Sequence, residues 1–364
     1  ANTESIFLQH KYQTSSPFHF PLSALVIFLI SLATCQAQQT PPLWKPSLPV
    51  PTSAQLLLLE NVQFHVIKSR TPEQDGYNWL HGVALIWHKN QLYSSFGHNA
   101  GKEYTASEVA NGRISTDGGK TWGPVFQIDN GEQENLAVSH GAFLSHQNKL
   151  WAFMGAFYNK MENTHTRAYR LDEKTNQWQK LGVVIEDGFW PMQEPLPMTD
   201  GNYIMAGIVA KNPDIPGNPA AVAISHGTDF TKWNLVVIPR PADLRMWGES
   251  TVIVDGPIII NIARYHDHAL ALVSHSKDYG RTWTPVAESN LPMTTSKPYA
   301  GTLSTGQKYL ICTTTADTGK ARAPLTIAVT DPGEKQFSRI YKIRGAVHPG
   351  PGESHPAARL SYPY

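Results

Sequence analysis

Through most of its length the chain breaks into short apolar runs separated by turn signals, and the runs carry a period near two. Ala220-Ala-Val-Ala-Ile-Ser225 and Leu325-Thr-Ile-Ala-Val-Thr330 are examples, and Ser250-Thr-Val-Ile-Val254 shows the same β-branched density. Side chains along a strand point to opposite faces in turn, so these runs predict half-buried strands. No run keeps an apolar 3.6-residue period over three turns, which excludes a helical solenoid. The clearest unit lies between Trp247 and Trp283. One strand follows Glu249, a turn at Asp255-Gly256-Pro257 leads to a second ending on Arg264, and a third spans Ala269 to Ser274.

That unit recurs. Strand ends bearing an aromatic residue fall at Trp122, Trp178, Trp233, Trp283 and Phe337, 50 to 56 residues apart. A second turn advances with them, at Lys89-Asn90, Gln147-Asn148, Asp200-Gly201, Asp255-Gly256 and Thr305-Gly306. Four short strands per unit of this length is the signature of a β-propeller. Five units are present, and a sixth opens at residues 355–364, where the chain stops. A half-built blade would expose strand edges. The expected fold is therefore all-β, a six- or seven-bladed propeller truncated at its C-terminus, with a strand at Val62 to Lys68 completing the last blade.

Two hairpins share an octet, S-x-D-x-G-x-T-W, at Ser115 to Trp122 and Ser276 to Trp283. Its Asp and Ser can bond backbone N–H groups in a turn, its Gly accepts positive φ, and its Trp packs the turn down. These are structural roles, and none of the octet enters the candidate chemistry. The octet resembles the Asp-box, or BNR repeat, of the sialidase superfamily. That resemblance implies a sialidase-like propeller over residues 60–364.

Thirty Lys and Arg against 29 Asp and Glu leave no basic field, which excludes a nucleic-acid partner. With only Cys35 and Cys312 there is no disulfide framework and no cysteine metal site, and Cys312, in the apolar run 308–312, reads as a small buried hydrophobe. Leu22 to Ala33 is an apolar run of twelve, too short to span a membrane, followed by Thr34-Cys35-Gln36-Ala37. Residues 1–40 are thus expected to be an export leader, cleaved near Ala37 or lipidated at Cys35. The protein would be secreted, periplasmic or lipid-anchored at the cell surface. Residues 41–53 are proline-rich and expected as an extended linker, with the propeller occupying 54–364.

The polar residues that open the inner strands of a propeller face its central funnel. In order they are His81, His140, Gln193 with Glu194, Glu249, Lys297 with Tyr299, and Tyr362, while strand ends add His98, Asn99, Arg264 and Arg322. Glu249 with Arg264 fifteen residues on is similar to the sialidase pattern. There the resemblance implies a carboxylate that activates a tyrosine nucleophile, here matched late in the chain by Tyr362, and arginines that clamp a substrate carboxylate bidentately. The family's first-blade Arg-Ile-Pro is replaced by His81-Gly82-Val83, and no Asp acid/base is evident in that blade.

The first blade resembles instead the propellers acting on uronate glycans, namely ulvan lyases and the enzymes that cleave rhamnose from α-1,4-linked glucuronate. Those place paired histidines on the first blade, and His81 and His98 match. The function this implies is release of terminal L-rhamnose from a glucuronate-containing polysaccharide, by β-elimination or hydrolysis. His81 and His98 would transfer protons, Arg264 and Arg322 would hold the carboxylate with Glu249 orienting them, and Tyr362 would act as acid. His140, Lys297 and Tyr299 would bind substrate. An exo-α-sialidase is the alternative, and a non-catalytic glycan-binding propeller is a third reading. No ligand spacing marks a metal or cofactor site, although a histidine-lined funnel could hold a divalent cation.

Overall fold

The computed structural model describes residues 41–364. Five antiparallel sheets follow one another along the chain. Blade one holds β1 (Trp79–His88), β2 (Gln91–Asn99), β3 (Glu108–Ser115) and β4 (Phe126–Asp129). Blade two holds β5 (Leu136–His146), β6 (Lys149–Tyr158), β7 (Glu162–Asp172) and β8 (Gln177–Ile185). Blade three splits its first strand into β9 (Phe189–Pro191) and β10 (Leu196–Pro197). Both pair with β11 (Tyr203–Val209), and β12 (Ala220–His226) and β13 (Asp229–Val237) follow. Blade four is β14 (Met246–Asp255), β15 (Ile258–Tyr265), β16 (Leu270–Ser276) and β17 (Ala287–Pro292). Blade five is β18 (Tyr299–Thr302), β19 (Lys308–Cys312), β20 (Leu325–Thr330) and β21 (Phe337–Arg344). The all-β propeller is present, with five blades among the described residues where six or seven were expected.

The core is divided into layers between successive blades. Phe143, Leu150 and Tyr169 lie in the layer shared by blades one and two. Ile204, Val222, Val252 and Leu272 fill the next-but-one, between blades three and four. Ile262, Leu310 and Phe337 join blades four and five, with Cys312 buried among them. Each fully buried side chain of this size contributes about 1.5–3 kcal/mol, so the alternation along the strands holds the blades together.

Both octets form the same turn. Ser115 Oγ donates to Asp117 Oδ1 at 2.8 Å and accepts from Gly119 N at 2.8 Å, while Asp117 Oδ1 accepts from Thr121 N at 2.9 Å. Ser276, Asp278, Gly280 and Thr282 repeat the set at 2.8, 2.8 and 2.9 Å. Trp122 and Trp283 are half-buried over these turns.

Two expectations for the N-terminal region change. The proline-rich stretch is packed, because Leu43 and Trp44, each 3 % exposed, insert into the core of blades four and five. Trp44 bridges Phe337 and Leu58 bridges Lys342, both in parallel along β21. The packed unit therefore begins ahead of Ala54, and 41–53 is not a free linker. Residues 62–68 form no strand; Val62 and Val66 are exposed, so that segment has no buried face to pair by. The leader expected at 1–40, with Cys35 and Ala37, lies outside the described residues. Among the described residues no helix is long and apolar enough to cross a membrane.

Candidate active site

Three of the first strands of blades shift register where a polar side chain is needed. The shifts lie between His81 and Val83 in β1, between Val138 and Gly141 in β5, and between Met246 and Ser250 in β14. A bulge kinks its strand and re-aims a side chain out of strict alternation. Here the bulges accompany His81, His140 and Glu249, and each has a glycine beside the polar residue, at Gly82, Gly141 and Gly248. Gly82 holds φ at +55°, and a Cβ there would stand 2.2 Å from the His140 ring. The break between β9 and β10 likewise frees Gln193 and Glu194 from the ladder. Gln193 then ties blades together, accepting from Val252 N at 2.7 Å and donating to Ala300 O at 2.9 Å.

At the centre Tyr362 Oη donates to Glu249 Oε1 at 2.5 Å, and Arg264 Nη1 donates to Glu249 Oε2 at 2.7 Å. Glu249 is 2 % exposed. Both oxygens of a carboxylate taken out of water are thus satisfied by donors. Tyr362 adopts φ +60°, an uncommon conformation for a bulky residue, and burial pushes its hydroxyl well above the ordinary range. Arg264 Nε has no hydrogen-bond partner. Arg322 forms no ion pair among the described residues; its Nη2 donates to Thr295 O at 3.0 Å.

His81 packs edge-on to Tyr362, with ring centroids 4.7 Å apart, and lies 4.6 Å from His140. Burial lowers its pKa to about 4, so the imidazole is neutral at pH 7. Its Nε2 is 3.5 Å from Glu103 Oε1. Glu103 and Tyr104 come from the loop joining β2 to β3, and burial raises the pKa of both. His140 is 4 % exposed, with Nδ1 3.1 Å from Ser139 Oγ. Ser139 Oγ also donates to Glu108, a fully buried carboxylate that burial pushes up to about 7.

On the other side Lys297 Nζ donates to Pro363 O at 2.7 Å and faces the rings of Tyr299 and Tyr364, each centroid 5.6 Å away. Burial lowers this lysine to about 8. Tyr299 Oη donates to Glu194 at 2.8 Å, and burial raises the Glu194 carboxyl.

His81, His140, Glu249, Arg264, Lys297, Tyr299 and Tyr362 thus gather at the centre, with Arg322 close by through its carbonyl bond to Leu360 N at 2.8 Å. His98 is set apart from them. It pairs opposite Leu80, so its ring points to the other face of the sheet from His81. There it stacks on Tyr77 at 3.7 Å and bonds Asn111 Nδ2 at 3.1 Å. Sequence reasoning passed over Glu103, Tyr104 and Glu108. The first two lie in a loop rather than at a strand start, and an acidic–aromatic pair in a short inner hairpin is the signal that marks them.

The BNR repeat-like domain family matches residues 92–364. No curated protein matches the chain by sequence. Among solved structures it is similar to the Hadza microbial sialidase Hz136, at 15 % identity and a TM-score of 0.60 over 76 % of this chain and 61 % of that one. It is similar to the NanB sialidase of Streptococcus pneumoniae, at 10 % identity and a TM-score of 0.59 over 82 % and 64 %. A protein of unknown function from Dyadobacter fermentans matches at 12 % identity and a TM-score of 0.60 over 78 % and 86 %. The chain therefore spans under two thirds of the length of the two sialidases, and at these identities the likeness is one of fold.

Proposed function

The chain belongs to the BNR repeat-like domain family, and on that footing we propose that it is a glycoside hydrolase of the exo-sialidase kind, releasing a terminal carboxylate-bearing sugar from a glycan. One observation carries the reading: a buried tyrosine hydroxyl donates to a carboxylate whose second oxygen is held by arginine. A phenol is a weak nucleophile at neutral pH, and burial weakens Tyr362 further. Glu249 Oε1 takes its proton as Oη attacks the anomeric carbon. The glycosidic C–O bond breaks, and the leaving oxygen takes a proton from Glu103, whose carboxyl is pushed toward the protonated form. Water, deprotonated by Glu103, then displaces the sugar from Tyr362, and Glu249 returns the proton to the phenol. Arg322, the free Nε of Arg264 and the Lys297 ammonium supply positive charge for the substrate carboxylate.

The second reading is β-elimination at a rhamnosyl-glucuronate, and His81 is its support. The imidazole, neutral at pH 7 and packed 4.7 Å from Tyr362, has a lone pair to offer the uronate C5 proton. His98, on the far face, has no part in it. The test offers the full chain a fluorogenic sialoside and a rhamnosyl-glucuronate oligosaccharide in parallel. Sialoside cleavage that disappears in Tyr362→Phe supports the hydrolase. An untouched sialoside with new ultraviolet absorbance from an unsaturated uronate, lost in His81→Ala, gives the case to the lyase. Binding of either glycan with no cleavage leaves a lectin.

A further inference from the structure

We propose that His81, His140 and Glu108 form a binding site for one transition-metal dication, Zn²⁺ by its donor chemistry, set in the wall of the central channel beside Tyr362. One donor atom from each of the three lies within 4.8 Å of the others. They come from separate strands of two blades, β1, β5 and the start of β3.

Each of the three residues carries an unmet demand. Glu108 is fully buried and has no Lys or Arg partner among the described residues; its contacts are neutral donors only, Ser139 Oγ, Asn99 Nδ2 at 3.5 Å and the Tyr104 backbone N–H. A buried carboxylate without a cation is costly. His81 Nδ1 and His140 Nε2 are both buried with no hydrogen-bond partner. A single dication would answer all three.

The donor count also selects a tautomer. Ser139 spends its one hydroxyl proton on Glu108, so toward His140 Nδ1, 3.1 Å away, its oxygen can only accept. His140 Nδ1 then carries the hydrogen, and the lone pair falls on Nε2, the nitrogen without a partner. A ligating histidine oriented through its other ring nitrogen is the usual arrangement around a bound metal. Gly82 and Gly97 leave the room: a Cβ at 82 would stand 2.2 Å from the His140 ring, and one at 97 would stand 2.3 Å from Glu108 Oε1.

Two imidazoles and one carboxylate suit Zn²⁺ over Ca²⁺ or Mg²⁺, which prefer oxygen. Bonds of about 2.0–2.2 Å require donors roughly 3.3–3.5 Å apart, so the side chains would close by an ångström or so. Three protein ligands leave a fourth position open for water or a substrate oxygen. The site is independent of whether the chain is a hydrolase.

The experiment strips the full chain with chelator and titrates it with ZnCl₂ by calorimetry, with metal content measured after dialysis. The expected result is one tightly held Zn²⁺ per chain, with affinity reduced by a hundredfold or more in His140→Gln and in Glu108→Gln. Zn²⁺ binding unchanged in both variants, or no retained Zn²⁺ in the wild-type chain, overturns the proposal. Should either variant fail to fold, X-ray absorption at the zinc edge of the wild-type chain decides it. Two imidazoles with an oxygen ligand support the site, and sulfur ligation or fewer than two imidazoles overturns it.

Discussion

Glu249→Gln perturbs the centre with little change of shape. The carboxylate accepts from Tyr362 and Arg264 on different oxygens. An amide keeps one acceptor and turns an NH₂ toward the other donor. The workable arrangement leaves the oxygen on Arg264 and lets the amide donate to Tyr362 Oη, so the fold should survive. What disappears is the charge opposite Arg264. Removing one partner of a fully buried ion pair costs about 3–5 kcal/mol. The Arg264 side chain is 18 % exposed, so water recovers part of that and the expected loss is about 2–3 kcal/mol. Urea unfolding should report it as a lower midpoint at unchanged slope. In a double-mutant cycle with Arg264→Met the coupling should be about 2 kcal/mol. Turnover on whichever glycan proves to be the substrate should fall by roughly 10²–10⁴, since Tyr362 loses the acceptor for its proton. Additive unfolding energies, or a turnover within a few-fold of wild type, would refute the reasoning.

The lysine in the channel gives a pH dependence. Burial lowers Lys297 to about 8 from its ordinary 10.5, so between those values the unfolded chain binds more protons, and this group makes the fold more stable as pH rises. Relative to Lys297→Met, wild-type stability should gain on the order of 3 kcal/mol from pH 8 to 10.5, while affinity for an anionic sugar falls over the same range; a flat difference between the two proteins contradicts the assignment. Gly82→Ala meets the His140 ring at 2.2 Å with φ at +55°, and strain plus overpacking should cost about 2–4 kcal/mol by denaturant unfolding. Asp278→Ala removes the acceptor for Thr282 N and Oγ1 in an outer turn; stability should drop by about 1–3 kcal/mol with kcat unchanged, and a large fall in kcat would give the rim a role in the chemistry.

The repeat was legible because alternation and turn residues are local properties. Asp117 and Asp278 bond partners two to four residues away, so their octets announce themselves without reference to the rest of the chain. The centre is harder to read. Glu249 and Tyr362 are 113 residues apart and meet only once the blades are stacked. His98 reads as a twin of His81, but a period of two, kinked at Gly82, sends the rings to opposite faces. A subtler signal was available: His81-Gly82, His140-Gly141 and Gly248-Glu249 each set a glycine against a polar residue at the start of a strand. Those pairs mark the bulges, and with them the residues turned inward. Glu108 and Ser139 carry no such mark, since their importance comes from being buried together.

The two parallel bridges to β21 have a consequence for behaviour in concentrated solution. The free side of that strand would otherwise offer an unpaired row of N–H and C=O groups, a template on which a second molecule could add a strand. Lys45 N and Leu59 N donate to Phe337 O and Lys342 O, and Phe337 N and Lys342 N donate back to Leu43 O and Leu57 O. Residues 43–59 thus consume four of those groups, and the Trp44 side chain anchors the cover in the core. A segment that composition alone would class as a tether works as a guard against edge-to-edge aggregation.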